Sequence, residues 1–113
     1  MPHCIIEYSH DLAHEIPPNQ LIHLVYQGAL NSQLFDANDI KTRAIPFRYF
    51  SSGDLKQDFV HVTIKILSGR NCQQRKLLSS AVMQELTQIK QTSISLTVEV
   101  VEIEKESYNK VIK

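Results

Sequence analysis

Between Phe59 and Leu67 the chain reads FVHVTIKIL. Val60, Val62, Ile64 and Ile66 alternate with His61, Thr63 and Lys65. Period two is the signature of a strand with one buried and one polar face. SGRN follows, and its Asn71 has a side chain suited to capping a helix. Leu78, Ala81, Val82, Leu86 and Ile89 then recur at helical spacing, with only Glu85 out of keeping. A further extended stretch, from about Ser95 to Ile103, closes the unit. A strand, a crossover helix and a second strand in one sheet place the two strands parallel, because the crossover is right-handed.

The first half repeats this plan without obvious sequence identity. Pro2 to Tyr8 reads as a strand centred on Ile5 and Ile6. SHDLAHEIPP breaks it, and Pro17-Pro18 suits a helix entry. From Asn19 an apolar stripe of Ile22, Val25, Tyr26, Ala29 and Leu30 follows helical spacing. Ile40 to Phe50 is the next strand, and Pro46 within it restricts it to an edge or a bulge. At Val100-Val101 the apolar phase of the last strand switches, which calls for a bulge or for burial on both faces. The expected fold is α/β (α+β): two consecutive β-α-β units, about 1–52 and 53–113, forming one four-stranded sheet with two helices on one face. The third and fourth strands carry more apolar residues than one face needs, so the other face calls for an oligomeric partner.

A chain of 113 residues suits one domain and buries roughly two-thirds of its unfolded surface. Its 12 basic residues balance its 12 acidic ones, and no basic block stands out. Nucleic acid is therefore a poor partner. Apolar runs are far too short for a membrane span. No charged-then-apolar leader opens the chain, so a cytoplasmic location is expected. Cys4 and Cys72 lack metal or redox spacing, and two free thiols are expected. His10 and His14 stand four apart, but the prolines close behind disfavour a helix and no third ligand is evident. No metal site is assigned.

The chain opens MPH ahead of an apolar strand. Together with VHVTIKILSGR and LTVEVVEIE, this start resembles the 5-carboxymethyl-2-hydroxymuconate isomerase family of the tautomerase superfamily. The resemblance implies a homotrimer of subunits with two β-α-β units each. It implies an isomerase without metal or organic cofactor, acting on an unsaturated 2-hydroxy acid from aromatic-compound catabolism. The substrate is then a small di- or tricarboxylate. It implies that Pro2, freed of Met1, is the catalytic base. Arg70 in SGR and Arg43 in KTR match family arginines that meet the substrate's carboxylates. Lys41 stands where members often carry another arginine, and lysine keeps the charge without the two-pronged fit.

Such chemistry wants these residues. Shifting a double bond beside a ketone needs one group to take a proton and return it, with a pKa near the working pH. A proline amine is a basic secondary amine, and burial or a nearby cation lowers it. Arginines stabilise the dienolate oxygen and clamp carboxylates. Plainer readings stand beside these. Arg43 on an edge strand also serves as edge protection, and Arg48 reads as a surface charge. Phe47 and Tyr49 either line the pocket or pack in a core or interface. His61 faces the polar side of its strand in a structural hydrogen bond. His3 points to the face opposite Pro2 and receives no catalytic role. Two further functions remain open: the same chemistry on another 2-oxo acid, and a silent oligomeric module that binds small anions.

Overall fold

The computed structural model describes residues 1–113. Its strands are β1 (His3–Ser9), β2 (Lys41–Phe47), β3 (Asp58–Leu67) and β4 (Ile94–Ile103). Its helices are α1 (Pro18–Asn31) and α2 (Cys72–Leu86). Short 3-10 turns occupy His10–His14, Ala37–Asp39 and Lys105–Ser107. The sheet order is β2-β1-β3-β4. β1 pairs parallel with β2, β3 parallel with β4, and β1 antiparallel with β3. Each β-α-β half therefore has the parallel pair expected of it, and the halves join through the central strands.

Alternation decides which face is covered. Cys4, Ile6, Val60, Val62, Ile64 and Ile66 are fully buried and form one core with Leu21, Val25 and Ala29 of α1 and Leu78, Val82 and Leu86 of α2. Both helices thus lie on one face. The helices meet at Gly28, where an added Cβ would fall 2.6 Å from the Val82 Cα. Pro18 opens α1 at its first turn, where a missing N–H costs nothing. Asn71 opens α2 with a complete capping box: its side chain accepts the Gln74 N–H at 2.8 Å, and Gln74 Oε1 accepts the Asn71 N–H at 3.0 Å.

One expectation needs correction, and two alternatives are decided. The β3–β4 register runs unbroken from Asp58↔Ile94 to Leu67↔Ile103, so Val100-Val101 is not a bulge. Val100 packs under the helices, and Val101 lies on the other face, 37% exposed. β2 ends at Phe47 rather than Phe50. The chain turns back there, and Phe50 packs edge-on against Phe59, centroids 5.0 Å apart. Pro46 lies in the edge strand without a bulge, paired with Tyr8. His10–His14 forms a 3-10 turn anchored by the buried Leu12, not an α-helix. Side chains four apart do not eclipse in that geometry, and no group of three metal-ligating side chains exists.

Candidate active site

β1 and β2 begin where β3 and β4 end. That end of the sheet gathers the residues of interest. Pro2 sits just ahead of β1, fully buried, on the face of Cys4 and Ile6. Its carbonyl accepts the Lys41 N–H at 3.0 Å, so the ladder to β2 already holds it. The Met1 ammonium donates to the Asp39 carbonyl at 2.8 Å. Burial first, and then the Lys41 ammonium, pull this terminal amine below its ordinary value, against the opposing pull of Asp39.

Lys41 Nζ donates to the same Asp39 carbonyl at 3.2 Å. Lys110, from the segment after β4, stands 4.0 Å from the Asp39 carboxylate. Two ammonium groups thus flank the start of the chain.

Arg70 follows β3 through Gly69, whose φ of +126° is a conformation that side chains rarely adopt. The turn swings Arg70 toward the loop after α1. There its guanidinium donates to the Leu34 carbonyl and lies over the Phe35 ring, 4.9 Å from the centroid. Arg75 on α2 donates to the Arg70 carbonyl and stands 3.7 Å from Glu102 on β4. Arg70 is therefore held from the loop after α1 and from α2 while staying partly exposed.

Arg43 takes the other side of the sheet. Its side chain shares the helix-free face with His3 and donates to His3 Nδ1 at 3.2 Å. The second ring nitrogen, Nε2, stands 3.0 Å from Tyr108 Oη. Burial, then Arg43 and Lys41, hold the His3 imidazole below its ordinary pKa. Pro2, Lys41, Arg43 and Arg70 thus share one end of the sheet, with Arg43 and Arg70 approaching from different sides.

Tyr108, Lys110 and Asp39 belong to this end and carry no signal in the sequence, while His3 joins them on the face expected of it. Tyr108 was legible only as a lone aromatic in a polar tail.

Phe47 and Tyr49 do not line this site within the chain. Phe47 pairs with Ser9, at the far end of β1, roughly 20 Å along the strand from His3. Tyr49 is 93% exposed. Both border a groove of about 610 Å³ at that far end, with Arg48, Phe50 and Asp58. The groove contains none of Pro2, Lys41, Arg43 or Arg70, so it is not where the candidate chemistry gathers. His61 has the role expected of it, with Nδ1 2.6 Å from Thr97 Oγ1 and Nε2 2.6 Å from Glu99 Oε2. Both cysteines are free: Cys4 is buried and Cys72 exposed. Burial pushes the Cys4 thiol up to about 11. No helix is long and apolar enough to cross a membrane.

A model of the 5-carboxymethyl-2-hydroxymuconate isomerase family matches residues 2–111. The chain belongs to that family. Its fold agrees with solved structures. A 5-carboxymethyl-2-hydroxymuconate delta-isomerase superimposes with a TM-score of 0.84 at 16% identity, over 100% of this chain and 89% of that one. A 5-carboxymethyl-2-hydroxymuconate isomerase from Deinococcus radiodurans R1 gives 0.81 at 23% identity, over 99% and 90%. A fused 4-OT asymmetric trimer gives 0.74 at 12% identity, over 96% and 91%. Among curated protein sequences none matches significantly. Family membership makes the chain a tautomerase-type isomerase, and the conformation of its SGR turn and the buried start of β1 are the structural counterparts of the motifs that carry the resemblance.

Proposed function

We propose that this isomerase ketonises a 5-carboxymethyl-2-hydroxymuconate-like dienol, with Pro2 as the base once Met1 is removed. The neutral Pro2 amine accepts the proton of the enol hydroxyl. A dienolate forms, and the resulting ammonium returns the proton to a carbon of the diene. The enol becomes a ketone, the double bond shifts and the amine is neutral again. Arg70, Arg43 and Lys41 meet the substrate's carboxylates.

The observation that carries this reading is the burial of Pro2 at a sheet end lined with cations. The Pro2 nitrogen lies one residue deeper than the Met1 amine, which burial and Lys41 already lower. The same influences favour a neutral amine near neutral pH. Cleavage of Met1 also vacates the volume from which a substrate would approach.

The chain works as a single tautomerase-like domain whose halves are about 1–52 and 53–113, assembled as a homotrimer in the cytoplasm. Ile5, Ile45 and Val101 on the helix-free face support assembly, since two of them are substantially exposed in the single chain, at 43% for Ile45 and 37% for Val101.

A second reading changes the substrate. Lys41 bonds the Asp39 carbonyl and offers no planar fork for a second carboxylate. That favours a 2-oxo acid with fewer carboxylates. A silent anion-binding module follows instead if Met1 is kept, because its ammonium is already satisfied by Asp39.

The test has two parts. The intact mass of the purified chain reports whether Met1 is removed. Ketonisation of the dienol, followed by its ultraviolet absorbance, is then compared with Pro2→Ala, which is expected to lose nearly all activity. Undiminished turnover in that variant, or full activity in a chain that retains Met1, removes Pro2 from the mechanism.

A further inference from the structure

We propose that the Tyr108 hydroxyl is a catalytic hydrogen-bond donor to the reacting oxygen of the substrate, and that His3 and Arg43 are positioning residues that aim it. The inference rests on the proposed ketonisation and extends it to a residue outside the Pro2 and arginine set.

The argument starts from donors and acceptors. A guanidinium has five N–H donors and no acceptor. Arg43 lies 3.2 Å from His3 Nδ1, so Nδ1 must accept. A neutral imidazole that accepts at Nδ1 carries its proton on Nε2. Nε2–H therefore donates to Tyr108 Oη across 3.0 Å. The opposite assignment sets two donors, Nδ1–H and the guanidinium, against each other. A doubly protonated ring does the same and adds a charge beside Arg43, Lys41 and Lys65, which with burial depress protonation.

The consequence falls on Tyr108. Its oxygen accepts from His3, and no other hydrogen bond to that hydroxyl exists. The hydroxyl proton is then available for donation to a group outside the chain. Tyr108 is partly buried and fixed edge-on against the His3 ring, at 66° and 6.1 Å between centroids. It is held at the same sheet end as Pro2, on the helix-free face, because His3 is the next residue along β1 and Lys110, two residues on, reaches Asp39 beside the chain start. A fixed hydroxyl donor at the sheet end where the proton-transfer base begins suits an oxygen that gains charge during reaction.

The Arg43–His3–Tyr108 chain also changes the account of Arg43. One of its nitrogens sets the His3 tautomer, in addition to any contact Arg43 makes with a carboxylate.

Two measurements test this. Nitrogen-15 NMR of the imidazoles in the intact chain is expected to report His3 as the Nε2–H tautomer at neutral pH. An Nδ1–H tautomer overturns the assignment whatever the role of Pro2. Dienol ketonisation is then compared in Tyr108→Phe, His3→Leu and His3→Gln. Tyr108→Phe is expected to lower kcat by about 10²-fold with KM within about threefold. His3→Leu is expected to follow it, and His3→Gln, which keeps a donor and an acceptor, to recover most of the loss. An unchanged kcat in Tyr108→Phe overturns the proposal. A rise in KM alone overturns it too, since Tyr108 would then merely hold a carboxylate. If Pro2→Ala is silent while Tyr108→Phe is fully active, this inference fails and the Pro2 reading survives. If Pro2→Ala is fully active, the Pro2 reading itself fails.

Discussion

The Arg70 guanidinium sits over the Phe35 ring with its central carbon 4.9 Å from the centroid, while donating to the carbonyl of the preceding residue, Leu34. A cation over an aromatic face at a partly exposed position is worth about 0.5–1 kcal/mol. Phe35→Leu should loosen Arg70 without removing its charge, and raise KM for the dienol roughly two- to fivefold with little change in kcat. Arg70→Lys loses both the stacking and the planar fork, and should raise KM by at least about tenfold. Steady-state kinetics read both, and a wild-type KM in Arg70→Lys would leave Arg70 a purely structural residue.

Helix packing makes a sharper stability prediction. At Gly28 a Cβ would meet the Val82 Cα at 2.6 Å and the Ala81 carbonyl at 3.0 Å. Both are backbone atoms and cannot rotate away. Helix propensity favours alanine by about 1 kcal/mol, but forcing α1 from α2 costs about 1–3 kcal/mol or more. Gly28→Ala should therefore lower the denaturation midpoint. A midpoint at or above wild type means that the helices shift apart freely.

The two thiols should behave oppositely. Cys72 is exposed and Cys4 fully buried. A thiol reagent should titrate one cysteine in the native chain and two after denaturation. Burial raises the folded Cys4 pKa from 9.0 to about 11. A raised folded value means that its contribution is complete below pH 9 and is lost as pH rises toward 11. Two pH units correspond to roughly 3 kcal/mol. Urea midpoints should fall across that window in wild type and fall less in Cys4→Ala, measured against each variant's own value at pH 7.

His3 gives a dependence of opposite sign. Its folded pKa is lowered from 6.5, so the unfolded chain binds more protons in the interval between the two values. Stability is complete above pH 6.5 and declines as pH falls through the folded value. His3→Gln should flatten that acidic limb of the denaturation midpoint. An identical slope in the variant would show that His3 does not titrate differently on folding.

The cap of α2 is local enough to test alone. Removing the Asn71 side chain leaves the Gln74 N–H without its 2.8 Å acceptor. Asn71→Ala should cost about 1 kcal/mol, read from chemical denaturation. Because Asn71 follows Arg70, a rise in KM beyond that stability loss would indicate that the cap also holds the SGR turn.

Much of this architecture was legible in the chain because its causes are local. Alternation in FVHVTIKIL and the stripe from Leu78 to Leu86 each depend on residues a few positions apart. Asn71, Pro17 and Pro18 mark helix starts through their own side chains and angles. Parallel pairing within each half follows from the handedness of a single crossover. Places left open had competing local signals: Val100-Val101 has two apolar residues in a row, and only the unbroken pairing with Ile64 and Lys65 separates their faces. Arg48 to Phe50 continue an apolar and basic pattern, yet the contact of Phe50 with Phe59 turns them out of β2.

The sequence by itself determined the order of elements, the buried alternation, the capped second helix, and the resemblance that singled out Pro2, Arg43 and Arg70. Only the tertiary structure decided which of these meet. It set Phe47 and Tyr49 at the far end of the sheet from Pro2, turned Arg70 onto Phe35, and gave Arg43 to His3. It also brought Tyr108 to His3 across 105 residues of chain. Periodicity reports the direction of a side chain relative to its own element, whereas a contact between remote residues depends on strand order and register along the whole path.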